Sequence, residues 1–184
     1  MNAHRLSRRN FLRQAARLAT AGAALPFAPK ALASLPDARA LSFAHTHTGE
    51  ALSLVYAVGE AYVPDALTAL NYFLRDHYSG AVGPVDPHLF DLLFQLQREL
   101  GSTQPFQVIS GYRSPLTNQL LHDTRGGGVA KHSLHMEGKA IDLRLADISL
   151  AEVRDAAIDL RLGGVGYYPK EQFVHVDTGR VRRW

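Results

Sequence analysis

The sequence predicts an α+β domain with a mostly antiparallel sheet and flanking helices. Three observations carry this. Helical spacings lead the chain, short alternating segments cluster late, and hairpin turns outnumber the crossovers a parallel sheet needs. The 184 residues are 46% hydrophobic and 20% charged, with 15 Gly, 9 Pro and no Cys, which suits one compact domain. That composition excludes a disordered chain, a collagen-like repeat and a disulfide-stapled mini-protein.

Residues 1–33 read as an export signal. Ser7-Arg8-Arg9-Asn10-Phe11-Leu12-Arg13 matches the twin-arginine pattern, Ala15–Ala28 is modestly apolar, and Ala31-Leu32-Ala33 is a small-residue cleavage site. The apolar stretch contains Arg17 and is shorter than the roughly 20 residues a membrane span needs. No later apolar run can cross a bilayer, and the lack of Cys excludes a lipoprotein. The net charge of +3 comes from this segment: Arg5, Arg8, Arg9, Arg13, Arg17 and Lys30 stand there without an acid. The rest holds 14 Lys and Arg against 17 Asp and Glu, a net −3. That charge distribution gives no support to a nucleic-acid partner.

Residues 34–40 read as a linker and 41–184 as the domain. Leu41–Thr46 and Ala51–Val58 are strand candidates joined around Thr48-Gly49-Glu50, a hairpin. Pro64-Asp65 opens a helix with Leu67, Leu70, Phe73 and Leu74 at helical spacing, ended by the Gly/Pro-rich Ser79–Pro84. Asp86-Pro87 opens a second, with Leu89, Leu92, Leu93, Leu96 and Leu100 on one face and Gly101 after it. Phe106–Ser110 reads as a strand, Ser114–Asp123 as a short helix and Thr124–Leu134 as a Gly-rich loop. Lys139–Leu145 alternates like a strand. Ser149–Leu162 is an amphipathic helix opened by a capping box, Ser149 with Glu152. Val165–Tyr168 and Gln172–Asp177 are two more strands.

The late strands carry metal-type donors. In Lys139–Leu145, Ala140, Asp142 and Arg144 share a face; in Phe173–Asp177, Phe173, His175 and Asp177 do. Asp142 and His175 can therefore meet if those strands are neighbours, and Gly138 permits a bend that returns His135 to them. Two His and one Asp can hold zinc and leave a fourth position for water, a catalytic type of site. Against this stands the frequency of packed or surface histidines on strands, and Asp142 can instead pair with Arg144 or Arg113. His45 and His47 fall on opposite strand faces, a poor chelate. His122 reads as solvent-facing, and Arg180, Arg182 and Arg183 as a solvated basic tail.

Ser133-Leu134-His135-Met136-Glu137-Gly138-Lys139-Ala140-Ile141-Asp142, followed by a strand bearing a second histidine, resembles the LAS-type zinc peptidases. These include D-Ala-D-Ala peptidases, endolysins and hedgehog-like domains. Ile109–Ser114, Gly163–Pro169, Phe173–Arg180 and the twin-arginine leader are most similar to the YcbK (MepK)-like murein endopeptidases. The resemblance implies a LAS/hedgehog-like zinc peptidase fold over 41–184, Zn²⁺ as cofactor and His135, Asp142 and His175 as its ligands. It implies Arg113 as the residue that binds a substrate carboxylate, with a structural pairing to Asp142 as the other reading. Dipeptidases of the wider family place a Glu three residues before the last histidine, where this chain has Gln172. Asp177 is then the expected general base or water orienter, its competing roles being a pair with Arg180 or support of His175. The implied partner is the peptidoglycan stem peptide, cut at meso-diaminopimelate 3-3 links by preference and at 4-3 links next; the export signal predicts the periplasm, and a monomer is expected. A non-catalytic wall-binding module and a D-Ala-D-Ala carboxypeptidase are the alternatives.

Overall fold

The computed structural model describes residues 35–124 and 129–184. The export segment and the 126–128 glycine tract lie outside the described residues. The first strand, β1 (Ala38–His45), forms an antiparallel hairpin with β2 (Ala51–Val58), and β3 (Ala61–Tyr62) extends it. The sheet therefore takes in residues 38–40, which the sequence reading placed in a linker. Helix α1 (Pro64–Phe73) follows, then α2 (Pro87–Leu100), β4 (Phe106–Ser110) and α3 (Pro115–Thr124). A 3-10 turn (Leu134–Glu137) leads into β5 (Ala140–Arg144). Helix α4 (Leu150–Leu160), β6 (Gly164–Tyr168), β7 (Phe173–Asp177) and β8 (Arg182–Arg183) complete the described chain.

The eight strands make one sheet in the order β3-β2-β1-β4-β5-β7-β6-β8. Only β1–β4 and β6–β8 pair in parallel, so the sheet is mostly antiparallel, as the hairpin-rich pattern predicts. The helix ends follow their sequence signals. The Asp86 side chain accepts the His88 amide, Pro87 takes the first turn, and Gly101 closes α2 in the left-handed region. Ser149 and Glu152 make both bonds of the capping box. Helix α4 ends two residues earlier than its pattern predicts, because Arg161 turns left-handed at φ 54°.

Alternation sorts each late strand into two faces. Ile141, Leu143, Val174 and Val176 join Leu89, Leu93 and Val153 in the core under the helices, all at 0% exposure. Each such side chain contributes about 1.5–3 kcal/mol when fully buried. Of the interleaved residues of β5 and β7, Asp142, Phe173 and His175 look the other way, toward a cleft of about 640 Å³ bordered by α3 and the loop that leads into the 3-10 turn.

Candidate metal centre

On the cleft face, register lines four positions across four strands: Ser110 of β4 opposite Asp142, Asp142 opposite His175, and His175 opposite Gly166 of β6. The expected neighbouring of β5 and β7 is real, and it sets a carboxylate beside an imidazole. His135 reaches the same point from the 3-10 turn. Ser133 caps that turn, and Gly138 ends it at φ 65°, where a Cβ would stand 1.9 Å from the Pro84 carbonyl oxygen. Only glycine fits there.

His135 Nε2, His175 Nδ1 and Asp142 Oδ1 converge. The two nitrogens lie 3.2 Å apart, and they stand 3.2 and 2.8 Å from the carboxylate oxygen. Among the described residues, this is the one group of three whose ligand atoms gather within 4.8 Å. All three are buried, His135 at 3%, Asp142 at 6% and His175 at 8% exposure.

The outer ring nitrogens decide what the inner ones offer. His135 Nδ1 donates to the Gly111 carbonyl at 2.7 Å, and a carbonyl can only accept. His175 Nε2 donates to Asp177 Oδ2 at 3.1 Å. With both outer nitrogens protonated, each neutral ring turns a lone pair inward, toward the Asp142 oxygen. Three lone pairs facing one another repel unless a cation or a shared proton lies among them. The ring orientation, fixed by a carbonyl and a carboxylate behind the imidazoles, is the support that metal-binding histidines carry.

The titration behaviour agrees. Burial lowers the His135 pKa, against the opposing pull of Asp142. For His175 burial also favours the neutral ring, but the bonds to Asp142 and Asp177 outweigh it and raise the pKa to about 9. Burial alone would raise the Asp142 pKa, yet the charge and hydrogen bonds of the two imidazoles hold it far below the usual carboxylate range. Without a metal, a proton on His175 is what holds the cluster together.

Asp177 is not placed as the sequence reading expected for a base. Its side chain has 0% exposure and lies behind His175, away from the cleft. Oδ1 accepts the Gly164 and Gly179 amides at 3.0 and 2.8 Å, and Oδ2 accepts from His175 and from Arg182 Nη2 at 2.8 Å. Against the cost of burial, these bonds keep the carboxyl well below its ordinary pKa. A carboxylate so saturated, and shut off from solvent, cannot meet a water in the cleft. Of the competing roles, support of His175 fits; the ion-pair partner is Arg182 rather than Arg180.

Arg113 lines the cleft beside the triad. Its amide donates to the His135 carbonyl at 3.1 Å, and Nη1 donates to Asn118 Oδ1 at 3.3 Å. Nη2 stands 3.9 Å from Asp142 Oδ2, too long for a hydrogen bond, so the pairing with Asp142 is loose. Sequence reasoning missed what aims this arginine. Asp76, 1% exposed, accepts the Ser114 amide at 2.9 Å and so ties the 110–114 turn to the end of α1. Asn118 also donates to the Ala130 and Lys131 carbonyls, and His122 Nδ1 donates to Val129 at 2.7 Å. His122 is thus a clamp on the loop above the site rather than a solvent-facing residue.

Ser114 caps α3, accepting from the Thr117 amide. Glu171 and Gln172 sit in an exposed turn outside the cleft lining, Gln172 at φ 61°. Strand β1 stops at His45, and the turn after it carries His47 onto His77, the rings stacked at 4.3 Å and 2°. Rings stacked face to face aim their nitrogens side by side rather than at one point, so His47 and His77 make a poor chelate, and His45 stands edge-on to both.

A family model described as "Peptidoglycan L,D-endopeptidase MepK" matches residues 33–184. Peptidoglycan L,D-endopeptidase MepK of Escherichia coli (strain K12) is 44% identical over 167 residues, 91% of each chain. The probable peptidoglycan L,D-endopeptidase MepK of Haemophilus influenzae is 43% identical over 161 residues, 87% of this chain and 86% of that one.

Proposed function

This chain belongs to the peptidoglycan L,D-endopeptidase MepK family, and we propose that it is a zinc-dependent murein endopeptidase of the periplasm. Residues 1–33 direct its export by the twin-arginine route. It acts as a monomer, in keeping with a cleft complete within one chain. Its favoured substrate is the meso-diaminopimelate 3-3 cross-link, with the 4-3 link second.

The observation that carries this reading is the convergence of three inward lone pairs at one buried point. His135 Nε2, His175 Nδ1 and Asp142 Oδ1 are the ligands. Two imidazoles and a carboxylate suit zinc, whose bonds of about 2.0–2.1 Å in a tetrahedron separate neighbouring donor atoms by about 3.3–3.4 Å. The 2.8–3.2 Å spacing is already close to that. When bound, zinc supplies Lewis acidity toward the scissile carbonyl and acidifies a water.

The chain's own residues set the geometry around it. The Gly111 carbonyl and Asp177 hold the two imidazoles in the required tautomers, and Arg182 holds Asp177. The Arg113 fork takes a carboxylate of the stem peptide, a planar match that lysine would lack. With Asp177 closed off, the imidazoles of the cleft wall are the groups that would take the proton of the attacking water and pass it to the leaving amine. His77 is a weak base there, since burial and the neighbouring His47 and His45 lower its pKa to about 4. His132 and His47 are the remaining imidazoles on the wall outside the triad.

Mass spectrometry of purified muropeptides treated with the mature chain tests the proposal. Cross-linked dimers should disappear with zinc present, survive chelation and disappear again on zinc re-addition. Dimers that remain whole with zinc present contradict it, and their retention by the protein would favour a binding module. Release of single D-alanine from pentapeptides would favour a carboxypeptidase.

A further inference from the structure

The basic stretch after β7 is not a solvated tail. It returns to the sheet as β8, parallel to β6, with the Trp184 amide bonded to the Val165 carbonyl and the Tyr167 amide to the Trp184 carbonyl. Glycines make the return possible. A Cβ at Gly164 would stand 2.4 Å from Arg182 Nη1, and one at Gly166 would stand 2.8 Å from the indole of Trp184. Because Gly166 is the register partner of His175, the indole lies directly beside that imidazole, ring centroids 5.3 Å apart.

The indole is held from several sides. Its Nε1 donates to Tyr168 Oη at 2.7 Å, and the Arg182 guanidinium sits 4.8 Å from its ring centroid. It is nevertheless 50% exposed and lines the cleft. With its polar edge satisfied, what it offers the cleft is apolar ring. Tyr168 and Phe173, stacked at 4.6 Å, continue this wall away from the triad. Such a rigid, exposed aromatic surface beside a reaction centre is a contact surface for an apolar part of the substrate.

We propose that Trp184, continued by Tyr168 and Phe173, is the subsite for the three-methylene arm of the diaminopimelyl residue flanking the scissile bond. The inference rests on the endopeptidase reading above and adds a specificity-determining residue to it. A sugar ring also stacks on indole, but the arm is the nearer group. Two residues separate diaminopimelate from the glycan, up to about 10 Å of extended chain with the residue ends included, whereas the indole adjoins His175 and so meets the residue at the scissile bond first. An arm with an apolar middle and charged end groups suits a wall that is apolar in front and has Arg182 behind.

The test is steady-state kinetics of zinc-loaded wild type, Trp184→Ala and Trp184→Phe on a purified diaminopimelate 3-3 dimer, with zinc content measured for each. Trp184→Ala should raise KM about 10-fold, equivalent to about 1.4 kcal/mol, with kcat within about 2-fold and zinc content unchanged. Trp184→Phe should restore KM to within about 3-fold. Trp184 is the chain's single tryptophan, so its emission should change on mixing wild type with the dimer, whether or not the dimer is cut. An unaltered KM in Trp184→Ala, loss of zinc in that variant, or no change in emission overturns the subsite. Wild type that leaves the dimer whole while its emission shifts overturns the endopeptidase reading and keeps the subsite.

Discussion

Two carboxylates lie on opposite faces of the same sheet and do opposite work. Asp91, on α2, is surrounded by donors: the Arg39 guanidinium, Tyr56 Oη at 2.9 Å and Tyr62 Oη at 2.5 Å. Those donors suffice, and the cluster is closed; with burial, the bond to Asp91 raises the pKa of Tyr62 to about 12. Asp142, on β5, faces the inner nitrogens of two imidazoles whose outer nitrogens donate elsewhere, so without a metal a borrowed proton on His175 is what joins them. One cluster is complete as protein, and the other calls for a cation. Ion pairing alone does not distinguish them; what the facing groups can donate does.

Removing a member should therefore have different consequences in the two clusters. The largest effect belongs to His175→Ala, expected to abolish both stoichiometric zinc and dimer cleavage while the chain stays folded, as metal analysis, circular dichroism and muropeptide digestion would report. Next comes Asp177→Asn. It keeps the shape but weakens the hold on His175, so zinc affinity should fall about 10–100-fold in a chelator competition. A wild-type affinity there would leave Asp177 without the role its bonds suggest.

Proton linkage gives a third, smaller effect. In the metal-free chain, His175 keeps its second proton up to pH about 9, whereas His135 is already neutral near pH 7. Zinc binding at pH 7 should thus release about one proton, and affinity should rise about tenfold per pH unit between pH 6 and 8. Calorimetry in buffers of different ionisation enthalpy measures the release. The same shift sets the sign for stability without metal: the His175 contribution is complete below its ordinary 6.5 and is lost as pH rises through about 9. The smallest effect on the site comes from the Asp91 cluster. Asp91→Ala should lower stability by about 2 kcal/mol by stranding the Tyr56 hydroxyl, with zinc affinity unchanged.

The helices, the capping box and the hairpin were legible because their signals are local: periodicity, Pro at the first turn, Ser149 three residues before Glu152. The donor set was legible because period-two alternation places Asp142 and His175 on the cleft face of their strands, and Gly138 announces the bend that brings in His135. The part played by Asp177 was not legible. Alternation puts it on the same face as His175, which suits a base and a support equally. The choice depends on Arg182 returning from β8 and on the space left by Gly164. A two-residue strand has no periodicity to read, so Arg182 and Trp184 passed for a tail. Asp76 escaped for a similar reason: it acts on the 110–114 turn from 38 residues away.

The central claim is that two imidazoles and one carboxylate hold a single zinc with an open position. Zinc-edge X-ray absorption on the loaded mature chain tests it most directly. One zinc per chain is predicted, with nitrogen and oxygen neighbours at about 2.0–2.1 Å and the outer-shell scattering of two imidazoles. A spectrum without imidazole scattering, or a chain that retains no stoichiometric zinc, would contradict it.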